Sequence, residues 1–137
     1  MSELDSVRSA VRDFLDQTSS SSAVRTLMDT DQGYDHAVWR QMANELGLHG
    51  IAVQERWGGA DAGMPELAVV FEELGAALLC SPFFATVALA LQALLDSGDE
   101  PAIEELAPDL LDGSRVATLI LNGTLDAWDP GAVTIAA

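Results

Sequence analysis

Apolar residues recur at helical spacing in five segments of the chain. Their intervals of three and four residues place them on one face of a helix, with charged residues elsewhere. The stripes comprise Leu4, Val7, Val11, Phe14 and Leu15; Trp39, Met42, Ala43 and Leu46; Leu67, Val70, Phe71, Leu74 and Leu78; residues 83–95; and Ile103, Leu106 and Leu110. The fourth segment is apolar on nearly all sides, so we expect it at the centre of a helical bundle.

Capping and turn-forming residues mark the ends of these helices. Asp35 can cap the second helix, and Gly47 suits the left-handed position that closes it. Pro65 fits the first turn of the third helix, where its missing N–H is not needed. Ser81 is a candidate cap for the fourth helix, and Gly98 ends it.

Two parts of the helical region are less regular. The polar run 18–22 predicts a short linker, and residues 23–33 carry only a weak pattern. Pro108 lies inside the fifth helix and is expected to shorten or bend it, because proline cannot donate the helical hydrogen bond.

The pattern changes near the C-terminal end of the sequence. Residues 115–121 and 132–137 are short apolar runs with β-branched residues, bounded by turn formers, which predicts strands. Two isolated strands are not stable alone in water. We therefore expect a mainly α, up-and-down bundle of five to six helices in residues 1–113, followed in 114–137 by the first strands of a truncated β-domain. The alternative is that these strands pair with another chain.

Composition restricts the partners. The net charge is −16, and all six basic residues are arginine, so nucleic acid and acidic membranes are disfavoured. The acidic residues form either a solvated surface or a face that docks on a basic partner. The apolar run 83–95 is shorter than the ~20 residues of a membrane span.

The single cysteine, Cys80, is expected in the core. A chain without a disulfide is compatible with a reducing cytosol. We therefore predict a cytoplasmic protein without membrane contact.

Candidate catalytic and metal-binding residues are few. His36 and His49 lie on different elements, without carboxylates in a ligand pattern, so each is interpreted as a surface or interface histidine and no metal site is predicted. The pairs Glu72-Glu73 and Glu104-Glu105 are adjacent on their helices and do not face each other, so neither forms an acid–base dyad. No catalytic residue is assigned.

The glycine-rich loop "ERWGGADAG" raises the question of a phosphate site. Gly58, Gly59 and Gly63 fit neither G-x-G-x-x-G nor the P-loop, which needs a lysine. Tandem glycines do allow a sharp reversal between packed helices. The loop is therefore predicted to be a turn.

The stretch "WRQMANELGLHGIAVQERWGGADAGMPELAVVFEELG" resembles the N-terminal helical domain of the acyl-CoA dehydrogenases. The matching positions are Trp39, Leu46-Gly47, Gly50-Ile51, Glu55, Trp57, Gly58-Gly59 and Glu72-Glu73-Leu74-Gly75. "LAPDLLDGSRVATLIL" is similar to that family's passage into its β-domain, and the resemblance extends over roughly residues 4–121.

The resemblance implies part of a flavoenzyme in which FAD accepts a hydride from an acyl-CoA thioester. It implies that the catalytic carboxylate lies in a later domain and that this chain supplies part of the acyl-binding wall. By position after "EELG", Phe83, Val87 and Ala90 would lie on or near that wall, with plain core packing as the alternative for each. A homo- or hetero-oligomer with another acyl-CoA dehydrogenase chain is also implied, as is a role in fatty-acid or steroid degradation.

One departure from the family pattern concerns the flavin. The usual Thr-Glu-Pro run is replaced by "NGTLDAWDP", so Leu119, Leu121 and Asn122 would offer backbone groups to FAD without the threonine hydroxyl. This is similar to divergent subunits of actinobacterial heteromeric acyl-CoA dehydrogenases. The alternatives are a non-catalytic helical partner of a true dehydrogenase and a free-standing acyl-binding module. Acyl-CoA oxidases and flavin-dependent hydroxylases share this N-terminal domain and stay open as relatives.

Overall fold

The computed structural model describes residues 2–120, and no strand occurs among them. The helices are α1 (Glu3–Thr18), α2 (Ser21–Met28), α3 (His36–Asn44), α4 (Met64–Ala76), α5 (Gln92–Asp96) and α6 (Glu100–Leu111). A π-helical segment, Phe84–Leu91, runs directly into α5, and two 3₁₀ turns, Leu48–Gly50 and Glu55–Trp57, connect α3 to α4. The predicted mainly α fold is confirmed. Residues 115–120 do not pair as a strand within this range, and the other predicted strand residues lie outside it.

Side-chain caps begin the first three helices. Ser2 and Asp5 form a reciprocal capping box on α1. The Asp35 carboxylate accepts the Ala37 and Val38 N–H groups, as its position predicted, and Gly47 has the expected left-handed backbone at φ 64°. The predicted linker 18–22 is wrong, because Ser20 caps α2 and the next two serines form its first turn. Serine serves there as a helix-starting residue rather than as a spacer.

The core consists of two clusters that meet along the π-helical segment. The larger cluster joins α1, α3 and α4 and includes Val87. The smaller cluster joins α6 to the connecting turns and includes Leu91. Each of these two side chains is at most 1% exposed. The fourth apolar segment therefore contributes to both clusters, which explains its lack of a polar face.

The end of α4 differs from the prediction. Helical spacing predicts Leu78 on the buried stripe, but Leu78 follows the helix, is 71% exposed and has a left-handed backbone at φ 51°. The N–H of Leu79 bonds to the Leu74 carbonyl at 3.0 Å, and the N–H of Leu78 to Gly75 at 3.1 Å. This is a Schellman closure with leucine where glycine is usual. The turn reverses the side-chain direction, so helical spacing no longer applies.

Proline inside α6 does not shorten the helix. The helix continues past Pro108 to Leu111, and the Asp112 N–H bonds to the Pro108 carbonyl at 3.0 Å. Pro108 and Glu104 are both exposed, so the carbonyl deprived of its N–H partner faces solvent. The expectation of shortening is therefore wrong.

Two arginines of α1 join α4 through one buried carboxylate. Glu73 accepts from Arg8 Nη1 at 2.8 Å and from Arg12 Nε and Nη2 at 2.9 and 2.7 Å. Its side chain is 6% exposed, whereas that of Glu72, which pairs only with Arg8, is 62% exposed. Hydrogen bonds from Arg12, and to a lesser degree from Arg8, lower the pKa of Glu73 against the opposing effect of burial. The second glutamate of "EELG" is thus a structural link between helices.

Replacing Glu73 by glutamine is expected to lower the melting temperature by roughly 5 °C, because two guanidinium groups lose their shared anion. Thermal unfolding followed by circular dichroism at pH 7 measures the change. Glu72→Gln is the matched control and should leave the midpoint nearly unchanged, since its carboxylate is exposed. Equal effects of the two variants would contradict the role assigned to Glu73.

Candidate functional site

The glycine-rich loop is closed by its own backbone. Six consecutive N–H groups, those of residues 57–62, donate to carbonyls of residues 50–55 at 2.9–3.2 Å. An anion cradle needs free N–H groups that converge on the ligand. These groups are already used, so the prediction of a turn is confirmed.

Gly59 is the tightest point of this loop. A Cβ atom on Gly59 would lie 2.0 Å from the Val53 carbonyl oxygen and 2.5 Å from its carbonyl carbon. Gly58 and Gly63 have φ angles of 90° and 110°, where other residues are strained. The loop therefore needs glycine for close backbone approach as well as for unusual dihedral angles.

The predicted acyl-wall residues do not share one open surface. Phe83 is 1% exposed, and its ring lies 5.3 Å from Phe71 and 5.8 Å from His49, centroid to centroid. Val87 is also 1% exposed, whereas Ala90 is half-buried. Phe83 and Val87 belong to the larger core cluster. Contact of these three residues with an acyl group stays a prediction.

An exposed apolar surface lies beside those residues. Phe84 is 61% exposed and Leu78 is 71% exposed, and both border a shallow cleft of about 210 Å³. Half-buried Phe71 connects the surface to the core, with its ring 5.9 Å from Phe84. Two adjacent helical residues point in different directions, so Phe83 faces the core and Phe84 faces out. Two adjacent phenylalanines on a helix cannot both face the core, so the pair Phe83-Phe84 could have predicted an exposed aromatic residue at this position.

A larger cleft lies between the glycine-rich loop and the end of the central helix. Its volume is about 510 Å³, and it is lined by Ala52, Gln54, Arg56, Trp57, Gly63, Met64, Ala88, Gln92, Leu95 and Asp96. The Arg56 guanidinium stacks over the Trp57 ring at 4.7 Å and donates to Gln54 Oε1 at 2.8 Å. Arg56 and Asp96 are the only ionisable groups of this lining, and within the described residues Arg56 pairs with Glu100 rather than with Asp96.

His49 is buried, so its interpretation as a surface histidine is wrong. It is 0% exposed, its Nδ1 lies 3.1 Å from the Leu110 carbonyl oxygen, and its ring centroid lies 4.0 Å from that of Trp39. Burial lowers its pKa to about 4, against the smaller opposing effects of the Leu110 carbonyl and Asp112. The ring is therefore neutral at pH 7, with Nδ1 donating. His36 is exposed, as predicted.

Two further side chains bind the carbonyl groups that follow α6. Trp39 Nε1 donates to the Gly113 carbonyl, and Asn44 Nδ2 donates to the Asp112 carbonyl, each at 3.0 Å. Helix C-termini leave such carbonyls without helical partners. Together with His49, these donors hold the end of α6 against α3 and the first 3₁₀ turn.

The predicted flavin-facing residues lie at the edge of the described chain. Leu119 is half-buried in an extended segment, while Leu121 and Asn122 lie outside the described residues. Within residues 115–120, positions 117 and 119 are half-buried and the other four are exposed. This alternation is that of an extended segment with one face toward the bundle. Contact of Leu119 with the flavin stays a prediction.

Neither a metal site nor a membrane span occurs in the described part of the chain. Across residues 2–120, no group of three or more His, Cys, Asp or Glu side chains is placed to hold a metal ion. None of the helices described has the length and apolar character needed to cross a bilayer.

Cys80 is half-buried rather than in the core, because it follows the exposed turn after α4. The cytoplasmic location stays a prediction.

Comparison with known proteins gives consistent matches. The family model "Acyl-CoA dehydrogenase, N-terminal domain" matches residues 1–114. The chain is 35% identical to acyl-CoA dehydrogenase IpdE2 of Mycolicibacterium smegmatis, over 88% of this chain and 37% of that protein. It is 29% identical to acyl-CoA dehydrogenase FadE27 of Mycobacterium tuberculosis, over 74% of this chain and 27% of that protein. It therefore spans 37% of the length of the first relative and 27% of the length of the second.

Solved structures show the same fold. The ChsE4–ChsE5 complex from Mycobacterium tuberculosis matches with a TM-score of 0.81 at 25% identity, over 93% of this chain and 35% of that chain. A Tcur3481–Tcur3483 steroid ACAD variant matches with a TM-score of 0.79 at 28% identity, over 90% of this chain and 34% of that chain.

Proposed function

Because the chain belongs to the acyl-CoA dehydrogenase family, we propose that it supplies the N-terminal helical domain of a flavin-dependent dehydrogenase acting on an acyl-CoA thioester. The observation that carries this proposal is the match of nearly the whole described fold to chains of steroid ACAD and ChsE4–ChsE5. The reaction is the α,β-dehydrogenation of the acyl group, and steroid-derived thioesters are the first substrates to test. The catalytic carboxylate would come from a later domain, so none is assigned to this chain.

The acyl-binding wall would use the exposed apolar surface beside the central helix. Phe84 and Leu78 would present apolar area to an acyl group, and buried Phe83 borders the same cleft, whereas Val87 lies in the core cluster. Ala90 is half-buried on the same helix. An apolar wall of this kind recognises the acyl portion of a thioester, because burying hydrocarbon contributes about 25 cal/mol per Å².

The CoA portion would be bound elsewhere in the assembly. Its phosphates are anionic, whereas this chain has a net charge of −16. Four of its six arginines, Arg8, Arg12, Arg56 and Arg115, already pair with carboxylates of the same chain. The electrostatics therefore support a contribution to acyl binding rather than to nucleotide binding.

FAD would supply the hydride acceptor, bound mainly by domains beyond those described. From this chain, the backbone of Leu119 would face it, with Leu121 and Asn122 as the predicted neighbours. An unlike acyl-CoA dehydrogenase chain is the proposed partner, since ChsE4–ChsE5 is a complex of two differently named chains. The replacement of the threonine-containing flavin run by "NGTLDAWDP" favours one alternative, a non-catalytic helical subunit of a heteromeric dehydrogenase.

An absorption spectrum tests the proposal. The full-length polypeptide, expressed alone and with its neighbouring acyl-CoA dehydrogenase gene product, is expected to show flavin absorbance near 450 nm (a property of the flavin) in at least one preparation. A steroid-derived CoA thioester should bleach that absorbance anaerobically, as the flavin is reduced. A colourless protein in both preparations would oppose a flavoenzyme. Flavin retained by the partner alone, with unchanged turnover, would favour the non-catalytic alternative.

A further inference from the structure

The hydroxyl group of Thr86 holds one residue of the segment that leaves the bundle. Thr86 Oγ1 donates to the Ala117 carbonyl oxygen at 3.0 Å and accepts from the Ala117 N–H at 3.2 Å. Thr86 is 0% exposed. One hydroxyl thus satisfies both backbone groups of a residue 31 positions away, as a neighbouring strand would.

This use of a helical threonine is unusual. A threonine inside a helix commonly bonds its hydroxyl to the carbonyl of the preceding turn. Here the backbone N–H of Thr86 donates to the Pro82 carbonyl at 2.9 Å, while the hydroxyl is directed to Ala117. The π-helical segment that contains Thr86 belongs to a class of local distortion often found at functional sites.

Ala117 is the only residue between 116 and 120 whose backbone bonds to another described residue. Upstream, the Arg115 N–H bonds to the Asp109 carbonyl at 3.0 Å, and the Arg115 guanidinium pairs with the Asp109 carboxylate. Beyond Ala117, the described chain has no further hydrogen bond to the bundle. Thr86 is therefore the last hydrogen-bonded attachment before Leu119.

We propose that Thr86 is a positioning residue whose hydroxyl sets the path of residues 115–120 and thereby places Leu119 beside the flavin. The first part stands on geometry alone, whereas the placement beside flavin rests on the proposed function. Only Thr118 lies between Ala117 and Leu119. Two residues of chain span at most about 7 Å, so anchoring Ala117 restricts where Leu119 can lie. Nothing in the proposal requires Thr86 to touch the cofactor.

Amide hydrogen exchange resolved by NMR tests the first part on the flavin-free 137-residue chain. The Ala117 amide should exchange about tenfold more slowly than those of Val116 and Thr118, after correction for intrinsic rates. Thr86→Val keeps the side-chain shape but removes the hydroxyl, and should abolish this difference. Thr86→Ser keeps the hydroxyl and should retain it. An unprotected Ala117 amide in the unsubstituted chain overturns the proposal even where Thr86→Val does not fold.

Flavin affinity in the full-length assembly tests the second part. Thr86→Val should raise the flavin dissociation constant about tenfold, and Thr86→Ser should restore it to near the unsubstituted value. Equal affinities of all three proteins overturn the placement of Leu119 by Thr86. An assembly that binds no flavin at all would refute the proposed function instead, and the exchange result would still decide whether Thr86 holds Ala117.

Discussion

Gly59→Ala should destabilise the chain by roughly 3–5 kcal/mol, which places it among the most disruptive single substitutions expected in a small domain. The added Cβ would lie 2.0 Å from the Val53 carbonyl oxygen and 2.5 Å from both the carbonyl carbon and the Cβ of Val53. Two of these atoms are backbone, so no side-chain rotation can relieve the collision. Val53 is itself 0% exposed and anchors the smaller core cluster, so moving it would disturb that cluster.

Urea denaturation followed by circular dichroism measures this effect as a lower transition midpoint at an unchanged slope. Gly75→Ala is the matched control. Gly75 lies in α4 without a positive φ, and a Cβ there would meet no atom within 4 Å. It should be neutral or stabilise the protein by up to about 1 kcal/mol, because alanine favours helix. A Gly59→Ala midpoint equal to that of the unsubstituted chain would show that the loop is not closed as described.

Acidification from pH 6.5 to pH 4 should remove roughly 3 kcal/mol of stability through His49 alone. Burial lowers the pKa of His49 in the folded state from 6.5 to about 4. Between these values the unfolded chain binds a proton that the folded chain does not, so stability falls as the pH falls. Above pH 6.5 both states are neutral at this position, and below pH 4 the loss is complete.

The free energy of unfolding, measured in urea at half-unit steps of pH, gives the slope. His49→Asn should flatten the profile, because asparagine can present an amide N–H to the Leu110 carbonyl but does not titrate. His36→Gln, at an exposed histidine, should leave the slope unchanged. The lowered pKa of Glu73 acts in a different window, since its contribution is present above about pH 4.5 and is lost below that value. A slope that survives in His49→Asn would assign the acid sensitivity to other groups.

Local signals predicted much of the fold. Asp35 was identified as a cap because the rule involves only its next three residues, and Gly47 because a left-handed backbone favours glycine. The stripe of α3 is equally local, with Trp39, Met42 and Ala43 all buried. The helical class and the order of the helices followed from such stripes, and the family resemblance agreed with that order.

The parts that the sequence did not predict depend on contacts between distant residues. His49 can be buried because a carbonyl 61 positions away accepts the hydrogen bond from its Nδ1–H, and no local pattern contains that information. Thr86 and Ala117 are 31 positions apart and form their contact only after the bundle has assembled. Leu78 lies outside the stripe because a Schellman turn ended the helical period two residues earlier. Proximity of candidate site residues was therefore harder to predict than the elements that carry them.

The attachments along residues 109–117 have a consequence for exchanging parts between relatives. Trp39, Asn44, His49 and Thr86 each hold a separate point of that stretch, from the Leu110 carbonyl to Ala117. The stretch is therefore attached to the bundle at four points, which restricts the direction in which the chain continues after residue 117. All four side chains bind backbone atoms, so a chimera joined at residue 113 should keep these attachments unless its residue 117 is proline, which has no N–H to donate.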